Sequence, residues 1–247
     1  MNAENRQSKP GLADFARRKL RVPKDFDRVA RNYDLLTGMN PGYKKHLRWS
    51  AERLAAPSHG KLLDLCCGTG LSTEALASVY PHATIEALDG SQGMLDVAAK
   101  KKNLQRVNFV QGDAMNPFGS GLEGPYDGIL MAYGIRNMTD PDKCLERLML
   151  MLKPGGRICF HEYSVRDSKR AALIWKAVTG AVIIPSGWLT NPGSDIYTYL
   201  RKSVLEFDGA SAFQERLRRH GFIDVRALPM DGWQKGIVHS FVATRPL

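Results

Sequence analysis

Residues 61–66, Lys-Leu-Leu-Asp-Leu-Cys, form a short apolar run bounded by Gly60 and by Gly68-Thr69-Gly70. A run of this kind is a strand buried on both faces that empties into a glycine turn. The pattern then repeats. Strands are expected at 84–88 (ending at Asp89), 107–110 (ending near Gly112-Asp113), 127–132 and 157–161, with helices at about 71–80, 92–102 and 141–152 between them. Strands alternating with helices imply βαβ units, a parallel sheet and right-handed crossovers. The end of the chain changes character. A helix at 210–220 precedes two strands, 222–228 and 237–244, that read as a closing hairpin. The expected fold is α/β: a doubly wound, mostly parallel seven-stranded sheet with a C-terminal antiparallel hairpin.

Two segments stand outside this frame. Residues 1–24 are polar and basic (Arg17, Arg18, Lys19, Arg21, Lys24) and read as a flexible arm, either solvated or touching anionic lipid or the body of the protein. From Asp25, the spacing of Phe26, Val29, Ala30 and Tyr33 is helical, and a second helix is expected at 43–54. Residues 164–207 interrupt the alternation with Trp175, Trp188, Tyr197 and Tyr199, and read as an inserted cap within a single domain spanning 25–247. The most apolar stretch, 171–189, contains Lys176 and Pro185, which makes it a poor membrane span.

In a doubly wound sheet, ligands bind beyond the carboxyl ends of the strands. There Gly68 and Gly70 permit close backbone approach, and Asp89 is placed to accept from ribose hydroxyls. Asp113 is placed to accept from an adenine amino group. Together they describe a nucleoside site. A dinucleotide fingerprint is incomplete, because its third glycine position is Thr73. The four cysteines include the adjacent pair Cys66-Cys67 and no CxxC, so neither a disulfide scaffold nor a structural zinc is suggested, and a reducing compartment is expected. Both Cys66 and Cys67 read as small residues closing the turn rather than nucleophiles. The net charge of +10 invites an anionic partner without choosing one.

Residues 63–70, Leu-Asp-Leu-Cys-Cys-Gly-Thr-Gly, resemble the first motif of class I S-adenosylmethionine (SAM)-dependent methyltransferases, and 152–156, Leu-Lys-Pro-Gly-Gly, their turn before the fifth strand. Phe26-Asp27…Val29-Ala30…Tyr33-Asp34, Tyr133-Gly134-Ile135-Arg136-Asn137, Glu162-Tyr163-Ser164, Tyr197…Tyr199-Leu200…Ser203 and Gly236-Ile237-Val238-His239 resemble, more narrowly, the ubiquinone/menaquinone biosynthesis C-methyltransferases over about residues 25–245. The chain departs from that pattern at Cys67, Leu71, His161 and Trp233-Gln234-Lys235. The resemblance implies a Rossmann-like fold, SAM as cofactor and a cytoplasmic enzyme. It puts Asp64, Gly68, Thr69, Gly70, Thr73, Asp89, Asp113 and Ala114 at the cofactor.

An aromatic ring carbon becomes nucleophilic when a ring hydroxyl loses its proton, so such an enzyme needs a base or a cation that stabilises phenolate. Arg136 suits the second role. Candidate bases are His161 and His239, then Glu162 and Tyr33, with Tyr33 better placed to close over the methionine end of SAM. Asn137, Tyr197, Tyr199 and His239 are expected at the substrate, an aromatic quinol with an apolar tail under the cap. A tail of that kind, with the basic arm, favours peripheral contact with an anionic membrane at its inner face. A homodimer is left open. Rival readings are an O- or N-methyltransferase of small molecules, a nucleic-acid methyltransferase and a SAM-binding regulator. The nucleic-acid reading is weak, because 133–136 lacks an Asn/Asp-Pro-Pro-Tyr motif.

Overall fold

The structure, a computed structural model, describes residues 10–247. Helices α1 (Pro10–Gly38) and α2 (Tyr43–Leu54) come first. Then follow β1 (Lys61–Leu65), α3 (Leu71–Val79), β2 (Thr84–Asp89), α4 (Gln92–Ala98), β3 (Asn108–Gln111), β4 (Tyr126–Ala132), α5 (Pro141–Met151) and β5 (Leu152–Tyr163). The cap contributes α6 (Lys169–Val178), α7 (Ile184–Thr190) and α8 (Ile196–Glu206), and the chain closes with α9 (Ala210–Arg219), β6 (Ile223–Pro229) and β7 (Val238–Thr244).

The seven strands lie in the order β3-β2-β1-β4-β5-β7-β6. The first five are parallel, and β7 enters antiparallel between β5 and β6. Strand β1 is central, so both its faces are covered. Leu63 and Leu65 pack toward α5 and α9, Leu62 toward α2 and α3. That double burial is why residues 61–66 read as an unbroken apolar run rather than an alternating one. The topological switch, where ligands bind in such sheets, lies between β1 and β4.

Three boundaries differ from expectation. No break separates an arm at residue 24: residues 10–38 form one helix with Pro23 inside it. Residues 1–9 of the expected arm lie outside the described residues. The basic side chains that suggested a solvated arm are partly spent on the protein itself. Arg18 pairs with Asp25 and with Asp195 (2.8 Å), and its guanidinium lies 4.9 Å from the Tyr199 ring centre. Lys19 donates to the Met138 carbonyl (2.7 Å). Helix α4 ends at Ala98 rather than 102, and β5 begins at Leu152, five residues earlier than expected.

Helices α6 and α7 join through a π-helical turn, Thr179–Ile183, into 22 continuous residues, long and apolar enough to cross a membrane by length and composition. Inwardly, Trp175 is fully buried against Tyr163, Val204 and Val238. The segment therefore has one side docked on the domain.

Candidate active site

A cavity of about 890 Å³ opens at the carboxyl ends of β1, β2 and β4. Its floor includes Cys66, Gly68, Asp89, Asp113, Ala114 and Tyr133, and its walls come from α1 and the cap. The motif acids of α1 explain how that helix comes to lie there. Asp27 accepts from the Ser91 hydroxyl (2.6 Å) and the Gly93 amide (2.9 Å) at the start of α4. Asp34 accepts from the Thr69 hydroxyl and pairs with Lys101 (2.9 Å). These acids do not meet the cavity contents; they strap α1 across the loops that would hold a cofactor.

Backbone strain concentrates at the switch. Cys66 (φ +62°) and Tyr133 (φ +56°) end β1 and β4 in the left-handed region, and both line the cavity. Strained non-glycine residues persist where the surrounding packing over-determines them, and they cluster at functional sites. Gly134 is squeezed between Met131 and Cys66: a Cβ there would stand 2.7 Å from the Met131 methyl and 2.9 Å from the Cys66 sulfur. Burial pushes the Cys66 and Cys67 thiols well above their usual range, so neither is a nucleophile at neutral pH.

The expected cofactor residues fall into two groups. Gly68, Asp89, Asp113 and Ala114 line the cavity. Asp89 accepts from the Gly68 amide (2.8 Å) through Oδ2 and from the Ser91 amide (2.8 Å) through Oδ1, so its carboxylate is aimed by backbone with lone pairs to spare. Asp113 accepts from the Met115 amide (2.8 Å). A nucleoside fits this set. Gly68 sits at φ +54° with nothing within 4 Å of where a Cβ would project, an open cradle only glycine provides without strain.

Asp64, Thr69, Gly70 and Thr73 form a supporting layer and do not line the cavity. Asp64 is fully buried; its Oδ2 accepts from Ser72 (2.8 Å) and Thr73 (2.6 Å), tying β1 to the first turn of α3. Its Oδ1 has no partner among the described residues. Burial pushes its pKa up to about 7 despite those two hydrogen bonds. The folded protein therefore keeps this proton up to about pH 7, whereas an exposed aspartate releases it near 3.8. Native stability falls as pH rises between those values and changes no further above them. Asp64→Asn, which cannot ionise, removes the slope. Its melting temperature relative to wild type should climb between about pH 5 and about pH 7.5; a constant difference across that range would refute the assignment.

Arg136 follows β4 and is only 5% exposed. Its Nη1 donates to Glu162 (2.8 Å) and to the Tyr133 carbonyl (2.6 Å), and its Nε to Ser203 (3.4 Å). Among the described residues no acceptor takes Nη2, and Arg136 lines the cavity. Burial works against its charge, but Glu162 and the surrounding tyrosines more than offset that, so the guanidinium holds its proton. Glu162 is fully buried and does not line the cavity; it serves as the counter-ion. Asn137 bridges loop and cap, donating to the Tyr133 carbonyl (3.1 Å) and accepting from the Tyr199 hydroxyl (3.0 Å). Tyr33, Asn137, Tyr197 and Tyr199 line the cavity.

The histidines do not behave as expected. His239 is not a cavity residue: it points from β7 toward Phe241, 5.5 Å between ring centres. His161 lies behind Tyr133, fully buried, and burial with nearby His46, Arg53 and His239 lowers its pKa to about 3. A group that weak cannot take a proton from a phenol. Sequence reasoning missed Tyr43, which stacks on Tyr133 (5.7 Å between centres), and Lys19, which lines the cavity with a pKa lowered by burial. Lys19 carried no local signal, since it falls in what reads as a polar tail.

Comparison with known proteins accounts for this arrangement. A family model, the ubiE/COQ5 methyltransferase family, matches residues 15–245. The chain belongs to that family. It is a SAM-dependent methyltransferase of the Rossmann-like kind. A demethylmenaquinone methyltransferase of Clavibacter sepedonicus is 33% identical over 221 residues, covering 86% of each chain. A mitochondrial 2-methoxy-6-polyprenyl-1,4-benzoquinol methylase of Caenorhabditis elegans is 31% identical over 245 residues, covering 92% of this methyltransferase and 84% of that protein. Among solved structures, the phosphoethanolamine N-methyltransferase 2 of Haemonchus contortus superposes with a TM-score of 0.66 at 18% identity, over 94% of this chain and 60% of that one. The [4+2]-cyclase SpnF superposes with a TM-score of 0.64 at 19% identity, over 93% and 97%. The last two show the fold alone, and one of them is titled a cyclase. The chemistry therefore has to be argued from the site.

Proposed function

We propose that this methyltransferase transfers a methyl group to a ring carbon of a prenylated benzoquinol or naphthoquinol. The observation that carries this reading is the Arg136 guanidinium, whose Nη2 has no acceptor among the described residues, in a cavity it shares with Tyr33, Tyr133, Tyr163, Tyr197 and Tyr199. Bound over Gly68, Asp89, Asp113 and Ala114, SAM supplies an electrophilic methyl. The chain's own task is to ionise and orient the acceptor. A ring hydroxyl beside Arg136 and Lys19 loses its proton to water more readily, because both cations favour the phenolate. Phenolate charge spreads to the ortho carbon, and the walls hold that carbon about 3–3.5 Å from the methyl.

The finer reading of the partner is a tailed quinol taken from a lipid surface. Leu173, Ala177, Ala181, Pro185 and Trp188 recur at about one helical turn along 169–190 and all face outward, with Trp188 65% and Leu189 85% exposed. The adjacent face of the same helix supplies Val178, Val182 and Ile183 to the cavity wall. Exposed Lys169, Arg170 and Lys176 accompany the stripe, which suits an anionic membrane surface. A tail leaving the cavity beside this stripe would enter lipid without crossing water.

The test is a methyl-transfer assay with purified protein, SAM and reduced demethylated quinols of several tail lengths, with and without anionic vesicles. The expected product carries the new methyl on ring carbon by mass spectrometry, and vesicles that bind the protein raise the rate for long tails. Methyl on oxygen or nitrogen would overturn the ring-carbon reading; failure to co-sediment with anionic vesicles would overturn the membrane reading alone.

A further inference from the structure

Behind the cavity, a chain of polar side chains crosses the sheet. Arg53 Nη1 lies 3.0 Å from Ser240 Oγ, Ser240 Oγ 2.7 Å from Ser50 Oγ, and Ser50 Oγ 2.7 Å from His161 Nδ1. His161 Nε2 lies 2.9 Å from the Tyr133 hydroxyl. Ser50, His161 and Ser240 are fully buried, and they come from α2, β5 and β7. His161 and Ser240 are cross-strand partners in the β5–β7 register. Tyr133, at the far end, belongs to the cavity floor.

The two ends of this chain differ chemically. Arg53 is a donor with no acceptor capacity. It also donates to the carbonyls of Leu228 (3.1 Å) and Pro229 (3.2 Å) and to the Met230 sulfur (3.6 Å), which anchor it in place. With Ser240 accepting from Arg53, one polarity uses every proton. The Ser240 hydroxyl donates to Ser50, Ser50 donates to His161 Nδ1, and His161 Nε2–H donates to the Tyr133 oxygen. The opposite polarity leaves the buried Ser240 proton the Cys159 sulfur, which also lies beside Ser50 and is a weak acceptor, as its partner among the described residues. An unmade hydrogen bond in a fully buried position costs more than a mean bond contributes, so satisfaction decides the direction.

We propose that His161 is a positioning residue: the chain from Arg53 locks it as the Nε2–H tautomer, and its donation to the Tyr133 oxygen leaves the Tyr133 proton to be presented within the cavity. Tyr133 is then a hydroxyl donor to a ring oxygen of the substrate, working beside Arg136, whose guanidinium lies 5.8 Å from the Tyr133 ring centre. No proton is transferred along the chain; it sets direction only. The Tyr133 ring is clamped between Tyr43 and Tyr163, which fixes where its oxygen sits, and the Tyr163 hydroxyl stands beside it. The substrate half of this inference rests on the proposed function; the tautomer half does not.

The experiment separates the two halves. Protein labelled with 15N-histidine is examined without substrate by long-range 1H–15N correlation, and His161 is assigned by the signals missing from His161→Gln. The expected pattern is a neutral Nε2–H imidazole; an Nδ1–H imidazole overturns the proposal. In turnover, His161→Phe, which keeps the volume but loses the donor, is expected to lower kcat about tenfold with the Kd for SAM within about twofold. His161→Gln, which restores an N–H near Nε2, is expected to recover to within about threefold of wild type. Equal losses in both variants, or no loss in His161→Phe, overturn the positioning role. Should the phenylalanine variant fail to fold, Ser50→Ala gives the second reading. It removes the donor to Nδ1 and should yield a mixture of tautomers with a reduced kcat, whereas an unmixed Nε2–H signal with wild-type kcat overturns the chain.

Discussion

Replacing Arg136 by glutamine together with Glu162 by glutamine is expected to lower kcat by about 10²- to 10³-fold while the Kd for SAM stays within about threefold. The double change is the informative one. Arg136→Ala alone leaves the Glu162 carboxylate buried without its counter-ion, and breaking a buried pair from one side costs about 3–5 kcal/mol. A weak single variant would confuse lost folding with lost catalysis. Glutamine at 162 is isosteric with glutamate and still accepts from the Tyr163 amide, glutamine at 136 is shorter than arginine but keeps a donor on the Tyr133 side, and the two buried charges leave together. If the guanidinium stabilises a developing phenolate, the neutral pair cannot replace it. Arg136→Lys keeps a charge but not the fork that engages Glu162, Tyr133 and substrate at once, and should fall between. Thermal melts, calorimetric SAM binding and single-turnover methyl transfer decide the matter. A double variant that folds and turns over within about threefold of wild type would remove Arg136 from the chemistry.

Gly68→Ala should do the reverse: weaken SAM binding by at least about thirtyfold, roughly 2 kcal/mol, with little change in fold. The added methyl meets no protein atom within 4 Å, so packing does not object. The left-handed backbone at φ +54° costs an alanine about 1 kcal/mol, which predicts a drop of a few degrees in Tm. The larger effect comes from the Cβ entering the space against which the cofactor must lie, and from disturbance of the Gly68 amide that aims Asp89. Calorimetry with SAM and a thermal melt measure the two effects separately. Unchanged affinity with the expected drop in Tm would mean that the open side of Gly68 is not the cofactor face.

Much of the frame was legible along the chain. The apolar run at 61–66, the alternation that follows and the terminal hairpin specify the sheet, because strand burial on two faces and helix amphipathicity are local patterns. Asp89 and Asp113 were legible because the ends of parallel strands lie on one edge of the sheet. Arg136 was singled out on chemical grounds, as a permanent cation able to favour a phenolate, and the structure places it in the cavity lining.

Other assignments turned on distances between segments far apart in sequence. Asp64 and Thr73 belong to the glycine motif, yet they face each other beneath the loop. Asp27 and Asp34 repeat as part of a motif, but what they hold (Ser91 and Gly93, Thr69 and Lys101) appears only once α1 lies across the sheet. The basic tail reads as solvated because nothing local reveals that Arg18 meets Asp195, 177 positions away. His161 and His239 look alike as candidate bases. Burial beneath Tyr133 makes the first too weak a base, and placement on β7 removes the second from the cavity.

The sequence by itself determined the doubly wound sheet, the glycine cradle, the acids at its edge and the arginine that follows β4. These follow from residue type and short-range spacing. Only the tertiary structure decided which polar groups face the cavity and which brace it, because desolvation and hydrogen-bond direction depend on what surrounds an atom on every side. Arg53 and Ser50 come from α2, His161 from β5, Ser240 from β7 and Tyr133 from the end of β4, and no pattern along the chain connects them.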